Sequence, residues 1–215
     1  GIEFANRTVL LLGTGGTSRT VSAVARDAGA KEVLLASRSG RNGALTYAQA
    51  MERKDLEVVI NVSPAGMYPN NGECLVDLTA FPKLEAVADV VYNPFQTALL
   101  RQAEELGVRR TGGLSMLVAQ AKYAAEYFLN EKIQDDKIEP IYRDLRAKQA
   151  NLVLIGMPSC GKTSLGKACA KLLGKRFVDL DVEIERQEGR PISLILAPGI
   201  ETYFRDVESR VTAQF

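Results

Sequence analysis

The chain contains no histidine. That excludes a Ser-His-Asp triad, a histidine general base and any histidine-ligated zinc or haem, so acid–base work falls to Asp, Glu, Lys or Tyr. Cysteine is scarce: the three present are Cys74, Cys160 and Cys169, and no two form a CxxC pair. A cysteine-rich metal site is excluded, and an odd, sparse count points to a reducing, cytoplasmic compartment rather than a disulfide scaffold. Net charge is nearly absent as well, +1 from 27 basic and 26 acidic residues. That balance gives no reason to expect nucleic acid or a membrane surface as partner. No apolar run approaches the ~18 residues of a membrane span. The N-terminus has no basic segment ahead of an apolar stretch with a small-residue cleavage site.

What remains is ordinary for a globular chain: 215 residues, 46% hydrophobic and 25% charged, which is one large domain or two small ones. The sequence opens almost directly on a strand pattern without Met and stops inside a helical one, so a piece of a longer protein is expected. Thr8–Leu12 is a continuous apolar run, followed by glycines, a helical pattern over Thr17–Ala28 and a second strand at Glu32–Ala36. This order is a βαβ unit of a parallel sheet. Further strands are expected at Leu56–Asn61, Ala86–Tyr92 and Val108–Arg110, with helices over Thr97–Leu106, ended by Gly107, and Gly113–Leu129. The stretch between Arg41 and Leu56 is short for a full helix plus strand, so one sheet element is expected to be reduced. Residues 131–150 turn polar and form a connector, helical after Pro140. At 151 the pattern restarts with the strand Leu152–Ile155 and a second glycine loop. The expected fold class is α/β: a Rossmann-type parallel sheet over residues 1–130, then the start of a P-loop kinase α/β domain over 151–215.

The first loop reads Gly13-Thr14-Gly15-Gly16-Thr17-Ser18. Gly13 permits the tight turn off the strand, Gly15 lets a pyrophosphate approach the backbone, and Ser18 takes the small third position of G-x-G-x-x-G/A. The helix that follows supplies N–H groups and a positive dipole end, with Gly16 and Thr17 in its first turn. At the end of the second strand, an NAD site would place Asp or Glu on the ribose 2′-hydroxyl. This chain has Ser37-Arg38-Ser39 and then Arg41. Guanidinium and hydroxyl groups suit a 2′-phosphate and a carboxylate does not, so NADP is favoured over NAD; solvated surface arginines are the alternative.

Downstream stand Asn61-Val62-Ser63-Pro64-Ala65-Gly66-Met67-Tyr68-Pro69, Asp89-Val90-Val91-Tyr92-Asn93-Pro94 and Gly112-Gly113-Leu114-Ser115-Met116-Leu117-Val118-Ala119-Gln120. With the glycine loop, these segments resemble in order the NADP-binding domain of the shikimate dehydrogenase family. The resemblance implies that Gly13, Gly15, Gly16, Thr17, Ser18, Ser37, Arg38, Ser39 and Arg41 hold the adenosine and phosphates. It implies that Asn61, Ser63 and Met67 line the cofactor cleft, and that Gly113 and Met116 sit by the nicotinamide. Tyr92 and Gln120 would reach the substrate. Met67 and Met116 also fit ordinary packing, and Gln120 a half-exposed helix position. The family's catalytic Lys–Asp pair belongs to an N-terminal substrate domain that does not precede Gly1 here.

The second loop, Gly156-Met157-Pro158-Ser159-Cys160-Gly161-Lys162-Thr163, fits G-x-x-x-x-G-K-[ST] in full. Its N–H groups would cradle phosphate, with Gly156, Gly161 and Ser164 in the loop and helix start. Lys162 would meet the β/γ oxygens, and the Thr163 hydroxyl would ligate Mg²⁺. Cys160 fills a small loop position. Phe177–Asp181 reads as a short strand whose alternate carboxylates Asp179 and Asp181 face one side. The order P-loop, FxDxD, then Phe204-Arg205-Asp206-Val207-Glu208 resembles the shikimate kinase family. That implies Asp179 at the Mg²⁺ site, Asp181 as substrate ligand and base beside the catalytic Lys162, and Arg205 on the substrate carboxylate. Gly199-Ile200-Glu201 carries one residue more than the family's pattern, so the approach of Arg205 is in doubt. At 65 residues, 151–215 is expected to be marginally folded by itself.

Both resemblances converge on one small molecule. They imply an enzyme of aromatic amino-acid biosynthesis that reduces 3-dehydroshikimate to shikimate with NADPH and phosphorylates shikimate with ATP. The alternative is a non-catalytic NADP/ATP-binding module. A dehydrogenase or cyclohydrolase of another substrate is disfavoured by the GGLxML…Q segment.

Overall fold

Thr8–Leu12 forms β1, and every residue in it is buried. Alternate side chains of a strand point to opposite faces. Accordingly Leu10 and Leu12 enter one core with Val59, Val87 and Leu99, while Val9 and Leu11 enter a second with Val58, Ile60 and Ala86. A strand apolar on both faces must be covered on both faces, which is the condition of a parallel sheet inside an α/β unit. The computed structural model describes residues 2–157, 159–195 and 201–212. It divides into two compact units, Gly1–Ala147 and Lys148–Phe215.

In the first unit, β1 is followed by α1 (Gly16–Asp27), β2 (Glu32–Ser37), β3 (Leu45–Thr46), α2 (Tyr47–Glu52), β4 (Val58–Asn61) and β5 (Ala86–Asp89). Then come α3 (Ala98–Glu105), β6 (Arg109–Thr111), α4 (Leu114–Leu129) and α5 (Ile138–Gln149). The six strands lie in the order β3-β2-β1-β4-β5-β6, and all the pairings are parallel. The chain runs outward from β1 to β3, then returns to place β4 on the other side of β1. Helices therefore leave the ends of β1 and β4 in opposite directions, and a crevice opens there at the carboxyl ends of the strands. The reduced element is the two-residue β3 with its six-residue helix α2. Thr46 and Gln49 close a reciprocal capping box on that helix, which satisfies donors that so short a helix would otherwise leave open.

Three boundaries differ from expectation. β4 starts at Val58 rather than Leu56, and β5 stops at Asp89 rather than Tyr92. The second has a clear cause: the Asp89 side chain itself accepts from Val91 N–H at 3.0 Å, so the backbone leaves the ladder there. The connector helix α5 begins at Ile138, after a 3₁₀ turn at Asp135–Lys137, and so includes Pro140 in its first turn. A proline is tolerated there because the N–H it lacks has no intrahelical acceptor.

The second unit holds α6 (Lys162–Leu173), α7 (Leu180–Glu188), α8 (Ile192–Ile195) and α9 (Glu201–Thr212). Ile184, Ile195, Phe204, Val207 and Val211 form its core. The expected strand Leu152–Ile155 is not formed, and the described residues of this unit contain no strand. A parallel strand needs a neighbour to accept its hydrogen bonds, and here Val153 and Ile155 are 71% and 89% exposed. The expected strand Phe177–Asp181 is also replaced. Asp179 is the N-cap of α7 and Asp181 lies in its first turn.

Candidate functional site

The glycine loop sits on the crevice. Gly13 has φ +126°, a conformation side chains rarely adopt, and a Cβ there would meet the Ser63 Cβ at 3.1 Å. The β1 exit and the β4 exit thus pass each other in direct contact, which only glycine allows. Gly15 and Gly16 differ: a Cβ on either would meet nothing within 4 Å. That open space above the start of α1 is the cradle a pyrophosphate needs, so the residues present fit the dinucleotide expected from the sequence. Ser18 is buried, its N–H and hydroxyl both donating to Gly15 O, at 3.1 and 2.6 Å. It pins the loop to the helix. Thr17 is exposed at the same helix start.

Asn61 is buried at the end of β4 and every polar atom of its side chain is partnered. Its Nδ2 donates to Ala65 O (3.1 Å) and Asp89 Oδ1 (2.9 Å), and its Oδ1 accepts from Ser63 N (3.1 Å) and Ser63 Oγ (2.7 Å). Asp89 Oδ2 accepts from Thr97 Oγ1 at 2.7 Å, and Thr97 caps α3. One network therefore ties the ends of β4 and β5 to the start of α3. Asp89 and Thr97 were not foreseen as site-shaping residues. The signals for them were a buried acid at a strand end and a Thr just before an apolar helix.

Burial pushes the Asp89 carboxyl above its ordinary value, although hydrogen bonds from Thr97, Val91 and Asn61 oppose it. The folded chain then holds that proton more tightly than the unfolded one. Asp89 thus adds stability as pH falls through its raised folded value toward the ordinary carboxylate value of about 4. Urea melts across that window should show this gain as the difference between the native chain and Asp89→Asn. Two parallel pH profiles would contradict it.

At the end of β2, Ser37 Oγ accepts from Gly40 N at 3.1 Å. Ser39 and Arg41 are exposed. Arg38 is exposed too, and its Nη2 donates to Glu73 Oε1 at 3.0 Å. That ion pair joins residues 35 positions apart and left no mark in the sequence. On the other side of the crevice, Gly113 caps α4, with its N–H donating to Val91 O at 3.1 Å. Met67, Met116 and Tyr92 are 42%, 44% and 40% exposed. The two methionines are therefore available to a ligand rather than packed in a core. Gln120, one turn after Met116 on α4, is exposed as well.

In the second unit Gly161 N-caps α6, and Lys162, Thr163 and Ser164 are its first three residues. Lys162 Nζ donates to Gly156 O (2.9 Å) and Met157 O (2.7 Å), so the lysine spans its own loop. A Cβ on Gly156 would meet the Cys160 sulfur at 3.1 Å, so Cys160 fills the loop interior. Thr163 Oγ1 donates to Asp179 Oδ2 at 3.2 Å. This hydroxyl–carboxylate pair has the hard oxygen donors that Mg²⁺ takes together with substrate phosphates. No group of three His, Cys, Asp or Glu suited to a metal occurs among the described residues. Asp181 and Asp179 come together around a helix start instead of along a strand, with Asp181 N–H donating to Asp179 Oδ1 at 3.3 Å. Burial raises the Asp181 carboxyl, and the charges of Asp179, Glu208 and Glu185 raise it further. A raised carboxylate is a stronger base. Arg205 pairs with Glu208 at 2.8 Å, so Glu208 stands between the two expected substrate ligands. Gly199 and Ile200, the extra-residue departure, lie outside the described residues.

Comparison with known proteins separates the two units in the same way. Over 157 residues, 68% of this chain, the sequence is 29% identical to the shikimate dehydrogenase (NADP(+)) of Clostridium perfringens strain 13. The chain covers 58% of that relative's length. Among solved structures, a chorismate mutase/shikimate 5-dehydrogenase fusion protein from Clostridium acetobutylicum matches with a TM-score of 0.64 and 32% identity, over 68% of this chain and 57% of that one. The family model for shikimate kinase matches residues 158–215. The shikimate kinase of Persephonella marina is 46% identical over 65 residues, 30% of this chain and 40% of that relative. The chain thus spans just over half of the dehydrogenase relatives and well under half of the kinase. No helix among the described residues is long and apolar enough to cross a membrane.

Proposed function

We propose that the chain belongs to an enzyme with two activities on one metabolite. The first unit is the NADP(H)-binding part of a shikimate dehydrogenase, and the second carries the phosphate loop of a shikimate kinase. The observation that carries the first half is the sheet order itself: it puts the open Gly15–Gly16 cradle at the switch point and Arg38 at the end of the neighbouring strand. Bound there, NADPH supplies a hydride. Gly15 and Gly16 leave room for the pyrophosphate, Arg38 and Arg41 meet the 2′-phosphate, and Met67 and Met116 offer exposed apolar surface for the nicotinamide. Asn61 acts through Ser63 and Asp89, holding the crevice walls in place. Tyr92 and Gln120 present polar groups to the substrate.

In the second unit Lys162 neutralises phosphate charge, and Thr163 and Asp179 would hold Mg²⁺. Asp181 takes the proton of the accepting hydroxyl, and Arg205 pairs with the substrate carboxylate. The raised Asp181 carboxyl supports its place as base.

One observation favours the non-catalytic alternative for these residues alone. Of the acids that end strands, Asp89 is the one present, and its oxygens are taken by Asn61, Val91 and Thr97. No proton donor for a carbonyl stands ready at the strand ends. The two readings part on turnover. A protein that joins this chain to the portions of both relatives it does not span should reduce NADP+ with shikimate and consume ATP with shikimate. If neither rate appears, the two-activity reading fails and the binding-module reading takes its place.

A further inference from the structure

The guanidinium assigned to the 2′-phosphate is already engaged by a carboxylate. Glu73 Oε1 lies 3.0 Å from Arg38 Nη2, and the backbone of Glu73 is held firmly. Its N–H donates to Asn70 O at 3.0 Å. Its carbonyl oxygen lies 3.2 Å from where a Gly66 Cβ would stand, so the Glu73 backbone is lodged against the loop that leaves β4. The carboxylate is thus carried on the crevice loop and meets a residue at the end of β2. Glu73 is two-thirds buried, whereas Arg38 is 81% exposed. The carboxylate is the fixed member of the pair and the guanidinium the adaptable one.

We propose that Glu73 sets the selectivity of this site between NADP(H) and NAD(H), by competing with the 2′-phosphate for Arg38. The inference rests on the reading of Arg38 given under Proposed function. A carboxylate beside the guanidinium occupies N–H donors and repels a phosphate that carries more than one negative charge. The ribose 2′-hydroxyl of NAD(H) carries no charge, and a carboxylate accepts a hydrogen bond from it as readily as from a guanidinium. Glu73 therefore weakens NADP(H) binding and leaves NAD(H) binding little altered, which narrows a preference that Arg38 alone would make steep.

The test is a calorimetric titration of the full chain with NADP+, NAD+, adenosine 2′,5′-bisphosphate and AMP. Glu73→Gln keeps the side-chain shape and removes the charge. It should tighten NADP+ and the bisphosphate about fivefold at low salt, less at high salt, with NAD+ and AMP moving less than about twofold. Glu73→Ala should give the same ordering, which guards against a new hydrogen bond made by the glutamine. Unchanged bisphosphate affinity in both variants, or equal shifts for NADP+ and NAD+, would overturn the proposal. Arg38→Ala is measured beside them. If it weakens the bisphosphate while the Glu73 variants do nothing, this inference alone fails. If it leaves the bisphosphate untouched, the 2′-phosphate reading of Arg38 fails first.

Discussion

Arg38→Asp should reverse the cofactor preference of the first unit, with NADP+ affinity falling about a hundredfold and NAD+ affinity unchanged or improved. Two effects add. The variant removes a charge-assisted hydrogen bond, worth about 1.5–3 kcal/mol, and puts a repelling carboxylate in its place. That carboxylate would stand beside Glu73, so the negative field at the end of β2 deepens. An acid at this strand end is the arrangement that accepts from a ribose 2′-hydroxyl. Stability should move little, because the Arg38–Glu73 pair is exposed and such pairs contribute at most about 1 kcal/mol. Calorimetric titration of the variant with both dinucleotides checks the prediction. An unchanged NADP+ to NAD+ ratio would remove the 2′-phosphate from this end of β2 altogether.

Gly113→Ala should be the most damaging single methyl in the first unit. Gly113 has φ −74°, which alanine adopts freely, so conformational freedom is not the reason. The reason is space. A Cβ there would lie 2.0 Å from Val90 O and 2.5 Å from Val90 C. Both are backbone atoms, and Val90 N–H is itself held by Asn61 O at 3.0 Å. Relief requires α4 to move away from the β5 exit, which breaks the 3.1 Å bond from Gly113 N–H to Val91 O. We expect a loss of about 3–5 kcal/mol in urea unfolding, the range of severe overpacking and broken hydrogen bonds. NADP+ affinity should fall with it, since Met116 and Gln120 ride on α4. A melt within about 0.5 kcal/mol of the native chain, the range of neutral surface changes, would show that the helix adapts at no cost.

Much of the first unit was legible because its signals are local. An all-apolar run such as Thr8–Leu12 must be a doubly covered strand, and glycines after it must turn into a helix. The shortness of 41–56 announced the small β3–α2 element. The Asn61–Asp89–Thr97 network was hidden because it joins a β4 residue to partners 28 positions on and beyond. The Arg38–Glu73 pair was hidden for the same reason. In the second unit, the apolar runs at 152–155 and 177–181 read as strands by composition. Pairing, which composition does not report, decides whether a strand forms. Asp179 illustrates the point: the same residue that ends a strand by pattern caps a helix by hydrogen bonding. The P-loop was legible despite this, because its spacing specifies the loop and the helix start without reference to the sheet.

The most direct measurement is a titration of the 215-residue chain with NADP+ and with NAD+ at matched salt. An open glycine cradle at the switch point and Arg38 at the end of β2 predict saturable binding of NADP+, tighter than NAD+ by about tenfold or more, roughly the worth of one charge-assisted hydrogen bond. Absence of NADP+ binding, or a preference for NAD+, would contradict it.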